Sequence, residues 1–346
     1  MDLRTDLRLA DLTTLRVGGP ARAVVVVDTE EDLVAAVRDA GADALVVGGG
    51  SNLVVGDQGF DGTVVVVRTR GIGVQIDDCA GVWLDLAAGE VWDEVVARAV
   101  AQGWIGIEAL SGIPGLVGAT PLQNVGAYGQ QVSETIARVR TFDRVTGRRQ
   151  SFAAADCGFG YRTSRFKAEP DRFVVLGVEL VLSRGAEGGP VAYAELARSL
   201  GIGVGDRAPL QEVRDAVLEL RRSKGMVLDP ADHDTWSAGS FFTNPVLTNE
   251  SAAELPAAAP RFPQADGLVK TSAAWLIENA GFARGYTLGT DTSVALSHKH
   301  ALAITNTGGA TAAAVVALAT HLRQGVRDRF GITLEPEPVL VGCTLG

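Results

Sequence analysis

The apolar run 44–47 enters Gly48-Gly49-Gly50-Ser51-Asn52, and the residues after that turn decide which folds remain open. A strand leading into consecutive glycines invites a dinucleotide-binding reading. That fold needs G-x-G-x-x-G opening straight into a helix, so that the helix N-terminus faces a pyrophosphate. Here the sixth position is Leu53, and residues 53–55 and 63–67 are β-formers. The lysine of a phosphate-binding loop is missing as well. Successive glycine N–H groups beside Ser51 and Asn52 still make an anion nest suited to a diphosphate. A plain structural turn accounts for the motif equally well.

A second stretch, 105–129, is rich in glycine, poor in charge and without period, and reads as an extended loop lining something. Its small residues let backbone approach a ligand, while Gln123, Asn124 and Tyr128 offer neutral hydrogen bonds. The alternative is a long surface loop, although a structureless loop of that length in a compact domain is usually functional.

Around these loops the chain alternates helical and strand patterns. Thr29-Glu30-Glu31-Asp32 is a capping-box pattern that leads into Leu33, Val34 and Val37 and stops at Gly41. Residues 91–102 fit an amphipathic helix with Trp92, Val95, Val96 and Ala99 inward. Strands are expected at 138–144 and 173–182, and a helix at 210–224. The loop 228–236 marks a domain boundary. Beyond it come a helix near 271–280, a strand at 301–305, a long helix at 311–330 and an extended segment at 332–343. With 346 residues the chain exceeds what one core usually supports.

No window approaches the ~18 to 20 uncharged apolar residues that cross a bilayer. The opening MDLRTDLRLADL lacks the apolar region of a secretory signal, so a cytoplasmic protein is expected. A net charge of −10 argues against nucleic acid or an anionic membrane as partner, yet leaves room for an anionic small molecule held by local cations. Cys79, Cys157 and Cys343 lie far apart and read as structural thiols, and His233, His298, His300 and His321 lack the spacing of a metal site.

Five segments, in this order, resemble the MurB family of UDP-N-acetylenolpyruvoylglucosamine reductases. They are residues 48–52, residues 113–129, Phe159-Gly160-Tyr161-Arg162-Thr163-Ser164, Ala238-Gly239-Ser240-Phe241-Phe242-Thr243-Asn244-Pro245, and Leu334-Glu335-Pro336-Glu337. The likeness runs from Thr14 to Gly342, and Tyr193 after the 185–190 loop resembles the tyrosine loop of the family's first type.

The resemblance implies an α+β fold. A two-lobed FAD-binding domain of the vanillyl-alcohol-oxidase (PCMH) type is expected at 1–70 (βαβ) and 71–226 (α+β, with the tyrosine loop). A C-terminal α+β substrate-binding domain would follow at 227–330, and a strand at 331–346 would return Glu337 to the active site. Non-covalent FAD would be held by Gly48, Gly49, Gly50, Ser51, Asn52, Ile113, Pro114, Gly115, Gly118, Ala119, Gln123, Asn124, Gly126, Ala127 and Tyr128. NADPH is the implied hydride donor, a UDP-sugar enolpyruvyl ether the implied substrate, and a monomer the expected state.

The implied chemistry reduces the enolpyruvyl ether to a lactyl ether. NADPH reduces FAD, flavin N5 passes hydride to the terminal enol carbon, and the protein must stabilise an enolate and supply one proton. The resemblance makes Ser240 the proton donor, with Phe241 and Phe242 as dry walls. Arg162 offers a charged fork to the carboxylate and enolate, and Glu337 helps to hold or polarise the enolate. Lys224 would meet the phosphates of substrate and NADPH, and Tyr161, Tyr193 and Asn244 would complete the substrate contacts. Glu335 would share a face with Glu337 in a straight strand. Without the resemblance, Ser240 reads as a turn residue, Arg162 as half of a surface ion pair and Lys224 as a helix C-terminal cation. His300, where some first-type relatives carry glutamine, stays outside the catalytic set. A sugar or alcohol oxidase on the same flavin fold and a flavin-binding protein without turnover are the other readings. No histidine precedes His233, so neither flavin loop can carry a histidyl tether.

Overall fold

The computed structural model describes residues 2–4 as backbone and residues 7–77, 81–264 and 267–346 in full; Cys79 lies outside them. The chain gathers into two compact units. One comprises the N-terminal strand, Ala21–Gly49 and Asp61–Val227; the other comprises 7–20, Gly50–Phe60 and Leu228–Gly346. Both mix helix and sheet.

In the first unit, strands Asp2–Arg4, Ala21–Val27, Phe60–Val67 and Ala44–Val47 form one sheet in that order. Ala44–Val47 runs parallel to Phe60–Val67, from Ala44 opposite Thr63 to Val47 opposite Val66. Helix Glu30–Ala40 starts where the Thr29 hydroxyl accepts the Asp32 N–H at 3.1 Å, and three acidic residues in its first turn suit the helix dipole. Leu33, Val34 and Val37 pack on Val25, Val27, Val65 and Val67.

A second, antiparallel sheet runs in the order Arg148–Ala153, Ile136–Asp143, Phe173–Arg184, Gly81–Ala87, Ile72–Asp77. Along Gly81–Ala87, Val82, Leu84 and Leu86 are buried while Trp83 and Asp85 face outward, the period of two of a half-covered sheet. Helix Trp92–Ala101 covers that face with Trp92, Val95, Val96 and Ala99. Strand 148–153 is a mostly exposed edge rich in polar residues and carries little of this signal, whereas edge strand 72–77 keeps the alternation in Ile72, Val74 and Ile76, of which Ile72 and Val74 pack on the core.

The stretch 105–129, read from sequence as an extended loop, is more ordered than that. It folds into the tight turns Glu108–Leu110 and Val117–Ala119 and a short hairpin of Gly126–Ala127 with Gln130–Gln131. A buried carboxylate organises it. Glu108 is 1% exposed and accepts N–H groups from Gly106 (2.7 Å) and Gly189 (2.7 Å) and the Gln130 amide (2.9 Å).

In the second unit a sheet runs Ser237–Ser240, Ala303–Asn306, Asp291–Leu296, Thr287–Leu288. Helix Ala312–Phe330 lays Val315, Leu318, Leu322 and Val326 into the core beside Leu276, Ile277 and Phe241. Its first N–H groups, from Ala312 and Ala313, are accepted by Asp57 at 2.8 and 2.9 Å. The extended tail forms a strand only at Val339–Val341, parallel to Leu53–Val55. No helix of the described residues is long and apolar enough to cross a membrane.

Candidate active site

The two glycine-rich motifs meet within the first unit although more than sixty positions separate them. A Cβ on Gly49 would lie 2.8 Å from Gly115 Cα, and one on Gly48 would lie 3.4 Å from Leu116 Cδ1. Two backbone turns thus touch with no side chain between them, and any larger residue at 49 would push them apart. In the second unit Gly50 sits at φ 60°, where a Cβ would fall 1.8 Å from the Leu12 carbonyl oxygen. Gly49 and Gly50 are needed by the protein's own packing, a stricter demand than room for a ligand. Such paired turns nonetheless fit a flavin dinucleotide, since backbone N–H groups are the donor set that a diphosphate requires.

Asn124 does something different from direct cofactor contact through its amide. It is 2% exposed at φ 47°, and both amide donors are committed, to Gln131 Oε1 (2.9 Å) and to the Gly160 carbonyl (3.1 Å). Its oxygen accepts the Ser133 N–H at 3.1 Å. Asn124 therefore ties the 113–129 segment to the turn that carries Tyr161 and Arg162. Arg162 itself has φ 52° and donates from Nη2 to the Gly126 carbonyl at 3.1 Å, so the guanidinium reaches the same segment.

A cationic and aromatic cluster stands beside it in the first unit. Tyr128 and Tyr193 pack edge to face with ring centroids 5.5 Å apart, and Lys224 Nζ lies 5.7 Å from the Tyr128 ring centre. Tyr193 precedes helix Ala194–Leu200, and Lys224 ends helix Leu210–Ser223. Lys224 pairs with Glu195 at 2.5 Å. Burial pushes the Tyr128 hydroxyl up to about 12, keeping it a proton donor at neutral pH. Burial also pulls Arg221 down to about 10, still charged at neutral pH. Arg221 donates to the Met226 carbonyl at 2.8 Å, while its Nε has no hydrogen-bond partner among the described residues. The sequence reading missed Arg221 and Glu195; helix spacing from Lys224 is the only signal that points to Arg221.

The second unit holds the other members of the set. Gly239 has φ 73° and admits the bend before Ser240, which pairs with Ala303 across the sheet. Phe241 and Phe242 are each 1% exposed and belong to the core, so they anchor the strand end under Ser240. Glu337 lies against the same strand end, where its N–H donates to the Phe241 carbonyl at 2.9 Å and Asn52 Nδ2 donates to its carbonyl at 3.3 Å. Glu335 departs from the straight-strand expectation. Residues 335–338 are not strand, and the Glu335 side chain lies 3.8 Å from Arg323. Asn244 accepts the Ala273 N–H at 2.9 Å, helping to start helix Ala273–Asn279. His300 Nε2 stands 3.5 Å from Ser240 Oγ, a neighbour absent from the catalytic set drawn from sequence.

Residues 229–341 match the family described as UDP-N-acetylenolpyruvoylglucosamine reductase, C-terminal domain, and residues 21–152 match FAD binding domain. The UDP-N-acetylenolpyruvoylglucosamine reductase of Cutibacterium acnes is 56% identical over 98% of this chain and 90% of its own length. This chain belongs to the UDP-N-acetylenolpyruvoylglucosamine reductase family. The family's member from Thermobifida fusca is 54% identical, covering 97% of both chains. The crystal structure of the family's member from Thermus caldophilus matches with a TM-score of 0.65 at 27% identity, over 98% of this chain and all of that one. Family membership thus spans both units, including the glycine turns of the first and the Ser240 and Glu337 segments of the second.

Proposed function

We propose that this chain reduces UDP-N-acetylglucosamine enolpyruvate to UDP-N-acetylmuramate with NADPH, as an FAD-dependent step of peptidoglycan precursor synthesis. The observation that carries the reading is the family likeness, which runs essentially from end to end of the chain. When bound, FAD would supply the hydride chemistry that links NADPH to the enolpyruvyl group. Gly48, Gly49, Gly115 and Gly118 would hold it through backbone, with Gly50, Ser51 and Asn52 supplying further polar groups.

The protein's own residues do the remaining work. Arg162, fixed by its bond to Gly126, is assigned to the substrate carboxylate and to the charge that grows there as the enolate forms. Ser240 is assigned to protonate the adjacent carbon, and Glu337 to hold the enolate. Lys224, with Tyr193, Asn244 and Tyr161, is assigned to the substrate, its ammonium to phosphate. The reading is supported by chemistry that each local setting can perform. NADPH and a nucleotide sugar are intracellular metabolites, which supports a cytoplasmic place of action.

The test is a turnover assay. NADPH oxidation should depend on the enolpyruvyl ether and yield the lactyl ether mole for mole. NADPH consumed at the same rate without that substrate, with oxygen as acceptor, would favour the oxidase reading instead.

A further inference from the structure

We propose that His300 is a positioning residue for Ser240: its Nε2–H donates to the serine oxygen, turning the hydroxyl proton toward the substrate and stabilising the alkoxide left when that proton departs. The inference rests on the reading of Ser240 as proton donor.

The geometry begins with the backbone. Ser297 is fully buried, and its hydroxyl accepts the N–H groups of Lys299 (3.0 Å) and His300 (3.2 Å), closing a tight turn. The turn is locked again by Ser297 N–H to Ala303 O (2.9 Å) and Ala303 N–H to His300 O (3.1 Å). One residue past Ser240, the Phe241 N–H donates to Leu302 O at 2.7 Å. Ser240 and His300 therefore sit on two segments pinned side by side, and the ring nitrogen that reaches the hydroxyl is Nε2, at 3.5 Å.

A free serine hydroxyl rotates, and its proton spends little time aimed at any one atom. A donor on its lone pair removes that freedom. It also meets the charge problem of this step: the Ser240 O–H bond breaks as a C–H bond forms on the substrate, and the electron pair of the broken bond stays on oxygen. A hydrogen bond to a charged group is worth more than one to a neutral group, so the His300 N–H gains strength as the proton leaves. Solvent then returns a proton to the serine. Lys299 is paired with Asp232, and His298 Nδ1 lies 3.5 Å from Asp234, so the two side chains that precede His300 in the turn are held by other partners.

The experiment uses the FAD-loaded protein and times its two half-reactions separately. His300→Ala should leave flavin reduction by NADPH unchanged and slow reoxidation by the enolpyruvyl ether by about 10- to 100-fold, the range of a hydrogen bond to a charged group. His300→Gln keeps an N–H donor and should restore most of the rate. In Ser240→Ala, adding His300→Ala should cost nothing more. If Ser240→Ala is slow while His300→Ala reoxidises at the wild-type rate, the inference falls alone. Equal slowing of both half-reactions, or His300→Gln as slow as His300→Ala, also overturns it. Wild-type reoxidation in Ser240→Ala removes Ser240 from the reaction, and the inference with it.

Discussion

Glu195 and Lys224 join two successive helices, with carboxylate oxygen and ammonium nitrogen 2.5 Å apart. Both are about one-third exposed, so the pair adds little to stability, and a phosphate can take Glu195's place at Lys224. Lys224→Ala should weaken binding of NADPH and of the UDP-sugar by about tenfold or more, the loss of one charge-assisted contact. Glu195→Gln should tighten both by about two- to fivefold, because a competing partner is gone. Titration calorimetry checks the two together. Unchanged affinities in Lys224→Ala remove it from the phosphate site.

Ser240→Ala should separate the half-reactions. Flavin reduction by NADPH stays near the wild-type rate, whereas reoxidation by substrate slows by about 10²- to 10⁴-fold, the usual scale of a positioned proton donor. Stopped-flow absorbance under argon resolves each step.

Asn124→Ala should destabilise the first unit by about 1–3 kcal/mol, since it strands buried partners at Gly160 and Ser133. It also places alanine at φ 47°, where asparagine is better tolerated. Thermal unfolding measures the loss, and weaker retention of FAD should accompany it.

Asp93 gives a pH dependence. Burial alone would raise its pKa, but the bidentate Arg214 fork at 2.7 and 2.9 Å and the Gly112 N–H at 2.6 Å outweigh it, and the carboxyl is held below its usual range. A depressed carboxylate stabilises the fold fully above its unfolded pKa of about 3.9 and loses that contribution as pH falls through the folded value. Asp93→Asn should therefore be less stable than wild type at pH 7. The gap should close progressively in denaturation curves taken below about pH 4.

The elements that the sequence revealed are those with one strongly buried face. Helix Trp92–Ala101 has its apolar stripe at helical spacing, and helix Ala312–Phe330 opens at the cap Thr311. Strand Arg148–Ala153 escaped because this edge strand buries only Phe152 and shows no apolar alternation, whereas Ile72–Asp77 carries the alternation in a run of only six residues broken by Gly73. The order within 105–129 escaped because it depends on Glu108, one carboxylate whose partners come from distant parts of the chain. Among the site residues, the resemblance gave Ser240 a role and marked the His300 position without giving it one. That His300 stands beside Ser240 becomes visible only when the 297–303 turn is folded beside strand Ser237–Ser240.

The most direct test of the account is an absorption spectrum recorded under argon in three steps. The purified protein should be yellow, bleach on one equivalent of NADPH, and regain its colour on addition of UDP-N-acetylglucosamine enolpyruvate with formation of the lactyl ether. A protein that binds no flavin, or a bleached flavin that only oxygen recolours, would contradict it.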